Sequence, residues 1–118
     1  MASAGTNLLL REDGEVFAAD RATLKWRAMP DAERIASQAG DPRVLVLRPD
    51  GRVSLLDATL RTLWTTAAAV VAPDSDVEHI LWRDGVGYIA AKGGVLVEVR
   101  NGTVRELRKP RAPRGASR

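Results

Sequence analysis

The strongest constraint on this chain is an internal repeat. Sliding the sequence by 37 residues lays Leu8-Leu9-Leu10-Arg11-Glu12-Asp13-Gly14-Glu15-Val16 on Leu45-Val46-Leu47-Arg48-Pro49-Asp50-Gly51-Arg52-Val53. The match runs on to Asp20 over Asp57, and seven of the thirteen pairs from Leu8 to Asp20 are identical. After a one-residue slip, Ala22-Thr23-Leu24-Lys25 parallels Ala58-Thr59-Leu60-Arg61, and Trp26 corresponds to Trp64. Agreement that keeps the punctuation residues in place marks a true repeat, and the repeated unit then sets the fold.

The unit is a β-hairpin. Asp-Gly and Asn-Gly tolerate the positive φ that tight hairpin turns demand, and here they separate apolar runs. Poor alternation in Val44-Leu45-Val46-Leu47 predicts strands covered on both faces. Partial alternation in Val95-Leu96-Val97-Glu98-Val99 predicts a half-exposed outer strand. Trp26 and Trp64, at matching ends of their units, are expected to fill equivalent core or inter-repeat gaps.

A third, weaker copy follows. Ile80-Leu81-Trp82-Arg83-Asp84-Gly85 parallels Val46-Leu47-Arg48-Pro49-Asp50-Gly51, with Tyr88-Ile89-Ala90 as the returning strand. Four β-prone runs separated by Asp84-Gly85, Gly93-Gly94 and Asn101-Gly102 predict a four-stranded antiparallel meander. Gly85-Val86-Gly87 and Gly93-Gly94 read as turn glycines. Between the first two units, Pro30 to Gly40 fits either a short helix opened by Pro30 and Asp31 or a strand over Arg34-Ile35-Ala36-Ser37. The parallel with Ala2-Ser3-Ala4-Gly5, which precedes the first unit, favours the strand.

Length and charge bound the function. A chain of 118 residues is one domain by length, and the absence of cysteine excludes disulfides, thiolate metal sites and thiol chemistry. The start, Met1-Ala2-Ser3-Ala4-Gly5, lacks a signal-peptide pattern, and the longest apolar run, Ala67 to Ala72, is too short to span a bilayer. The expected setting is cytoplasmic, or an assembled particle such as a virion, with no membrane partner. The formal net charge of +3 is local in origin. Five of the 18 basic residues, Arg108, Lys109, Arg111, Arg114 and Arg118, follow the last acid, which leaves 13 against 15 and about −2 on the body. The expected division is a β-repeat domain over 1–107 and a basic flexible tail over 108–118. The tail is a candidate partner-binding arm, and contact with nucleic acid is expected through it alone.

Side chains that carry chemistry are scarce. His79 stands alone, without the partners of a triad or a zinc site. Asp74, Asp76 and Glu78 alternate in one acidic run that lacks the glycine and length of a calcium loop, and a solvated loop is the expectation. Asp13, Asp50 and Asp84 each precede a turn glycine, where Asp caps the turn through local hydrogen bonds. Trp82 and Tyr88 are open to two readings: core packing, which is favoured, or an outward aromatic platform for a sugar or a partner. No cofactor, metal or catalytic residue is expected.

The pattern Ile35-Ala36, Gly40, Val44 to Leu47, Asp50-Gly51-Arg52-Val53 resembles a β-propeller blade. It is most similar to regulator-of-chromosome-condensation-type repeats and secondarily to pyrroloquinoline-quinone-type repeats, through the Asp-Gly hairpin, the following Asp20 and Asp57, and Trp26 and Trp64. The likeness covers residues 2 to 66 well and 77 to 107 loosely, and it implies blade-forming positions only, with no quinone-binding residue. The fold class expected is therefore all-β, an antiparallel meander of two to three blade-like hairpin repeats, with a small β-sandwich or barrel as the alternative. Closed propellers use about four to eight blades. That deficit predicts a partial propeller completed by oligomerisation and a non-enzymatic structural or interaction module with protein partners. The alternatives are a lectin-like module and nonspecific nucleic-acid attachment through the tail.

Overall fold

The computed structural model describes residues 2–4, 7–72 and 76–108. Among these residues, twelve strands form three four-stranded antiparallel sheets, each a simple meander. The first sheet contains β1 (Ala2–Ala4), β2 (Asn7–Glu12), β3 (Glu15–Asp20) and β4 (Trp26–Ala28). The second contains β5 (Arg34–Ser37), β6 (Val44–Leu47), β7 (Val53–Leu56) and β8 (Thr62–Thr65). The third contains β9 (Val77–Arg83), β10 (Val86–Ala91), β11 (Val95–Arg100) and β12 (Thr103–Arg108). The segment open to two readings is a strand, Arg34–Ser37, paired in register with β6.

Turn chemistry explains the hairpins. Asp13-Gly14, Asp84-Gly85 and Asn101-Gly102 each carry two successive positive φ angles, which match the right-handed twist of the flanking strands. Arg48 to Arg52 is one residue longer. There Arg48 N–H donates to the Arg52 carbonyl at 2.8 Å, and Asp50 Oδ1 accepts from the Arg52 amide at 3.0 Å. Asp20 and Asp57 repeat one device: the carboxylate of each accepts an amide two residues on, from Ala22 at 2.7 Å and Thr59 at 2.9 Å.

The extra turn residue changes the repeat's alignment. Leu9, Val16 and Ala18 face the second sheet, while Leu45, Leu47, Val53 and Leu55 face the third. Val16 thus corresponds to Val53, but Leu9 corresponds to Leu45 and not to Val46, because one added residue exchanges the two faces of a strand. The third copy needs a larger shift. Asp84-Gly85 joins the first and second strands of its sheet, whereas Asp13-Gly14 and Asp50-Gly51 join the second and third, a place taken by Gly93-Gly94. Gly87 is no turn glycine: it lies within β10 opposite Trp82, and a methyl group there would press on the side chain of Leu45.

Two apolar layers hold the sheets face to face. Leu9, Val16 and Ala18 meet Val44, Val46 and Leu56; Leu45, Leu47, Val53 and Leu55 meet Trp82, Ile89 and Ala91 with their neighbours. Each fully buried aliphatic contributes about 1.5–3 kcal/mol. All four residues of β6 and of β7 are buried, so the second sheet is covered on both faces, as the Val44 to Leu47 run predicts. The first strands of consecutive sheets touch, β1 with β5 and β5 with β9, while the outer strands make no comparable contact. Sheets that converge at one edge and splay at the other form the wedge of a propeller.

Candidate interaction surfaces

The surfaces follow from strand parity. In the first sheet the residues that alternate with Leu9, Val16 and Ala18 point away from the second sheet. They are Leu8, Leu10 and Glu12 on β2, Glu15, Phe17 and Ala19 on β3, and Trp26 and Ala28 on β4, paired as Leu8–Ala19–Trp26, Leu10–Phe17–Ala28 and Glu12–Glu15. Leu8, Leu10 and Phe17 are half-buried and Trp26 is 44% exposed. The face is apolar, with an acidic end at the Asp13-Gly14 turn. Its sequence signal is Leu8-Leu9-Leu10, a run apolar on both parities that predicts cover on both faces, of which the described residues supply only one.

The outward face of the third sheet is different. Its rows are Arg83–Val86–Arg100, Leu81–Tyr88–Glu98–Arg105 and His79–Ala90–Leu96–Arg108. Leu81 is 46% exposed, and Tyr88 and Leu96 are half-buried. Four arginines surround this small apolar centre against one carboxylate, Glu98, which pairs with Arg100 at 3.2 Å.

Trp82 and Tyr88 cannot form one platform. Trp82 pairs with Gly87 across the strands, so it and Tyr88 point to opposite faces. Trp82 is 1% exposed, inside the layer between the second and third sheets. Its indole N–H donates to Asp41 Oδ2 at 3.0 Å, and the Arg43 guanidinium lies 5.1 Å from the ring centre. Arg43 also clamps Asp41, with Nε to Oδ1 at 3.0 Å and Nη2 to Oδ2 at 2.9 Å. The hydrogen bonds from Arg43, more than that from Trp82, hold the Asp41 carboxyl at a pKa of about 2. The cluster fastens two sheets together, as does Gln38, whose amide accepts from the Asp84 amide at 2.8 Å.

The two related tryptophans part company. Trp64 pairs with Leu55 and packs against the core between the second and third sheets. Trp26 pairs with Ala19 and faces outward, so the expectation of equivalent packing fails for it. The cause is again one residue: seven steps separate Asp57 from Trp64 and six separate Asp20 from Trp26.

Asp13, Asp50 and Asp84 sit in hairpin turns, and Asp50 is held below the usual carboxylate range by the Arg52 amide. His79, Asp76 and Glu78 are exposed, while Asp74 lies outside the described residues. Arg108 is exposed at the end of β12, and Lys109, Arg111, Arg114 and Arg118 also lie outside the described residues. Between the first and second sheets a groove of about 470 Å³ is lined by Val16, Met29 and Ala32 and by two acids, Glu15 and Glu33.

The fan of three meanders defines a propeller-like β fold. BamB from Moraxella catarrhalis is a solved structure of similar shape, with 24% sequence identity and a TM-score of 0.50. The alignment covers 88% of this chain and 37% of that one, so this chain spans well under half of BamB's length. No protein-family model and no curated protein matches the sequence.

Proposed function

We propose that this chain is a non-catalytic interaction module that works through oligomerisation and protein–protein contact on the open faces of its first and third sheets. One observation carries the reading. The second sheet, flanked on both sides, buries every residue of β6 and β7, whereas its neighbours each keep one broad face uncovered among the described residues. The first of these exposes Trp26 beside Leu8, Leu10 and Phe17, an aromatic-centred apolar patch of the kind that marks protein interfaces. The likeness to BamB supports the blade geometry that such a module requires. The Asp-Gly hairpins and the matched Asp20 and Asp57 turns support blades of the regulator-of-chromosome-condensation or pyrroloquinoline-quinone type.

Native mass spectrometry and sedimentation over a wide concentration range test the proposal. Reversible association of the purified chain is the expected result. A strict monomer at several hundred micromolar, indifferent to substitution of Phe17 or Leu81 by Asp, would count against it.

A further inference from the structure

We propose that the partner of the first sheet's open face is the third sheet's open face of a second copy, and that two copies close head to tail into a ring of six sheets. The inference rests on the interaction reading above and adds occupant, pairing and stoichiometry.

Packing sense comes first. Inside the chain, the forward face of each sheet meets the backward face of the next: Leu9 and Ala18 meet Val46 and Leu56, and Leu45 and Leu55 meet the layer of Trp82 and Ile89. The two faces left over are the backward face of the first sheet and the forward face of the third. Joining them between copies keeps the forward-to-backward packing sense of the internal interfaces.

Charge selects the same pairing. The first sheet's face carries Glu12 and Glu15, directly opposite each other, and neither makes an ion pair among the described residues. The third sheet's face carries Arg83, Arg100, Arg105 and Arg108 against Glu98. Two first sheets meeting face to face would oppose acids, and two third sheets would oppose arginines. Only the mixed pairing is complementary, and like-charge juxtaposition suppresses the other two. Arg108 lies at the end of its sheet that corresponds to the Asp13-Gly14 turn, near the β10–β11 connection.

Stoichiometry follows from area and closure. Four strands about 4.8 Å apart, of at most about six residues at roughly 3.4 Å each, give a face of at most roughly 20 by 20 Å, and less on the first sheet, where β1 and β4 have three residues each. One such contact, at most roughly 400 Å² per copy, is well short of the roughly 800 Å² per partner of a standard interface. Two contacts in a closed pair come close to it. With three sheets per chain among the described residues, two copies bring six sheets, inside the range of about four to eight for closed propellers, and three copies exceed it. A two-membered ring also has two-fold symmetry, the commonest arrangement of soluble oligomers.

The test uses the full chain in two charge-reversed forms. One carries Glu12→Arg and Glu15→Arg; the other carries Arg105→Glu and Arg108→Glu. Each alone is expected to lose dimerisation by about tenfold or more in Kd, and an equimolar mixture to recover a heterodimer close to the parent's affinity. Circular dichroism and thermal melts report folding, and recovery on mixing shows that both variants are folded. A monomeric parent overturns this inference together with the interaction reading. A dimer insensitive to either reversal, or to one of them, overturns the head-to-tail pairing and leaves the interaction reading standing. A parent oligomer other than a dimer overturns the six-sheet ring.

Discussion

Trp82 and Asp41 stand 41 positions apart in the chain, and the indole N–H of the first donates to Oδ2 of the second at 3.0 Å. That bond joins the β5–β6 connection of one sheet to the first strand of the next. Around it the ring is buried on the core side and capped by Arg43. A large apolar side chain thereby locks two sheets in register while its single polar atom stays satisfied.

Asp41→Ala is expected to destabilise the fold by about 1–3 kcal/mol, because it leaves the indole N–H and the Arg43 guanidinium without their acceptor. Trp82→Phe should cost a comparable amount through the lost donor and the smaller ring. Urea unfolding of both variants, with the midpoint compared at unchanged slope, measures these losses.

Acid should expose the same cluster. Asp41 has a folded pKa of about 2 against an ordinary 3.8, so its contribution is complete above pH 4 and lost as pH falls through 2. The protein is expected to lose about 1–2 kcal/mol across that window, the figure being reduced for partial exposure of the carboxylate. Asp41→Asn should flatten this part of the stability-versus-pH curve, as read by denaturant titrations at fixed pH.

Gly51→Ala should cost about 2 kcal/mol or more. Gly51 holds a φ of +86°, and a methyl group there would strike the Val71 carbonyl oxygen. Gly14→Ala meets only the conformational penalty at φ +79°, with open space around the added carbon, and should cost about 1 kcal/mol. The difference between the two thermal midpoints isolates the packing part.

Trp26→Ala should change stability by less than about 1 kcal/mol, since the ring lies on an open face. Acrylamide quenching of single-tryptophan variants is expected to rank Trp26 above Trp64 and Trp64 above Trp82 in the monomer. Protection of Trp26 that grows with protein concentration would report cover of its face.

The hairpin punctuation was legible in the sequence because Asp-Gly and Asn-Gly have a local cause: each must supply positive φ within two residues. The doubly covered strand Val44 to Leu47 was legible for a similar reason, since burial on both faces leaves no alternation. Face assignments were not. Leu9 against Leu45, and Trp26 against Trp64, turn on single-residue differences in loop length, and a shift that keeps turn residues aligned hides them. Gly87 looked like punctuation because composition cannot separate a glycine that bends the chain from one that makes room for Leu45. The candidate surfaces were hidden likewise, since Glu12, Glu15 and Phe17 share a face only once register is fixed.

The second sheet, buried on both sides, has a consequence for how the molecule folds. In a linear stack each sheet is stabilised only by its nearest neighbours, so the middle one carries two couplings and each outer one carries a single coupling. In the monomer, amide exchange should be slowest in β6 and β7, with openings that start at either end and travel inward. A nucleus containing β6 and β7 can grow in both directions, whereas one formed in the first or third sheet must wait for the centre.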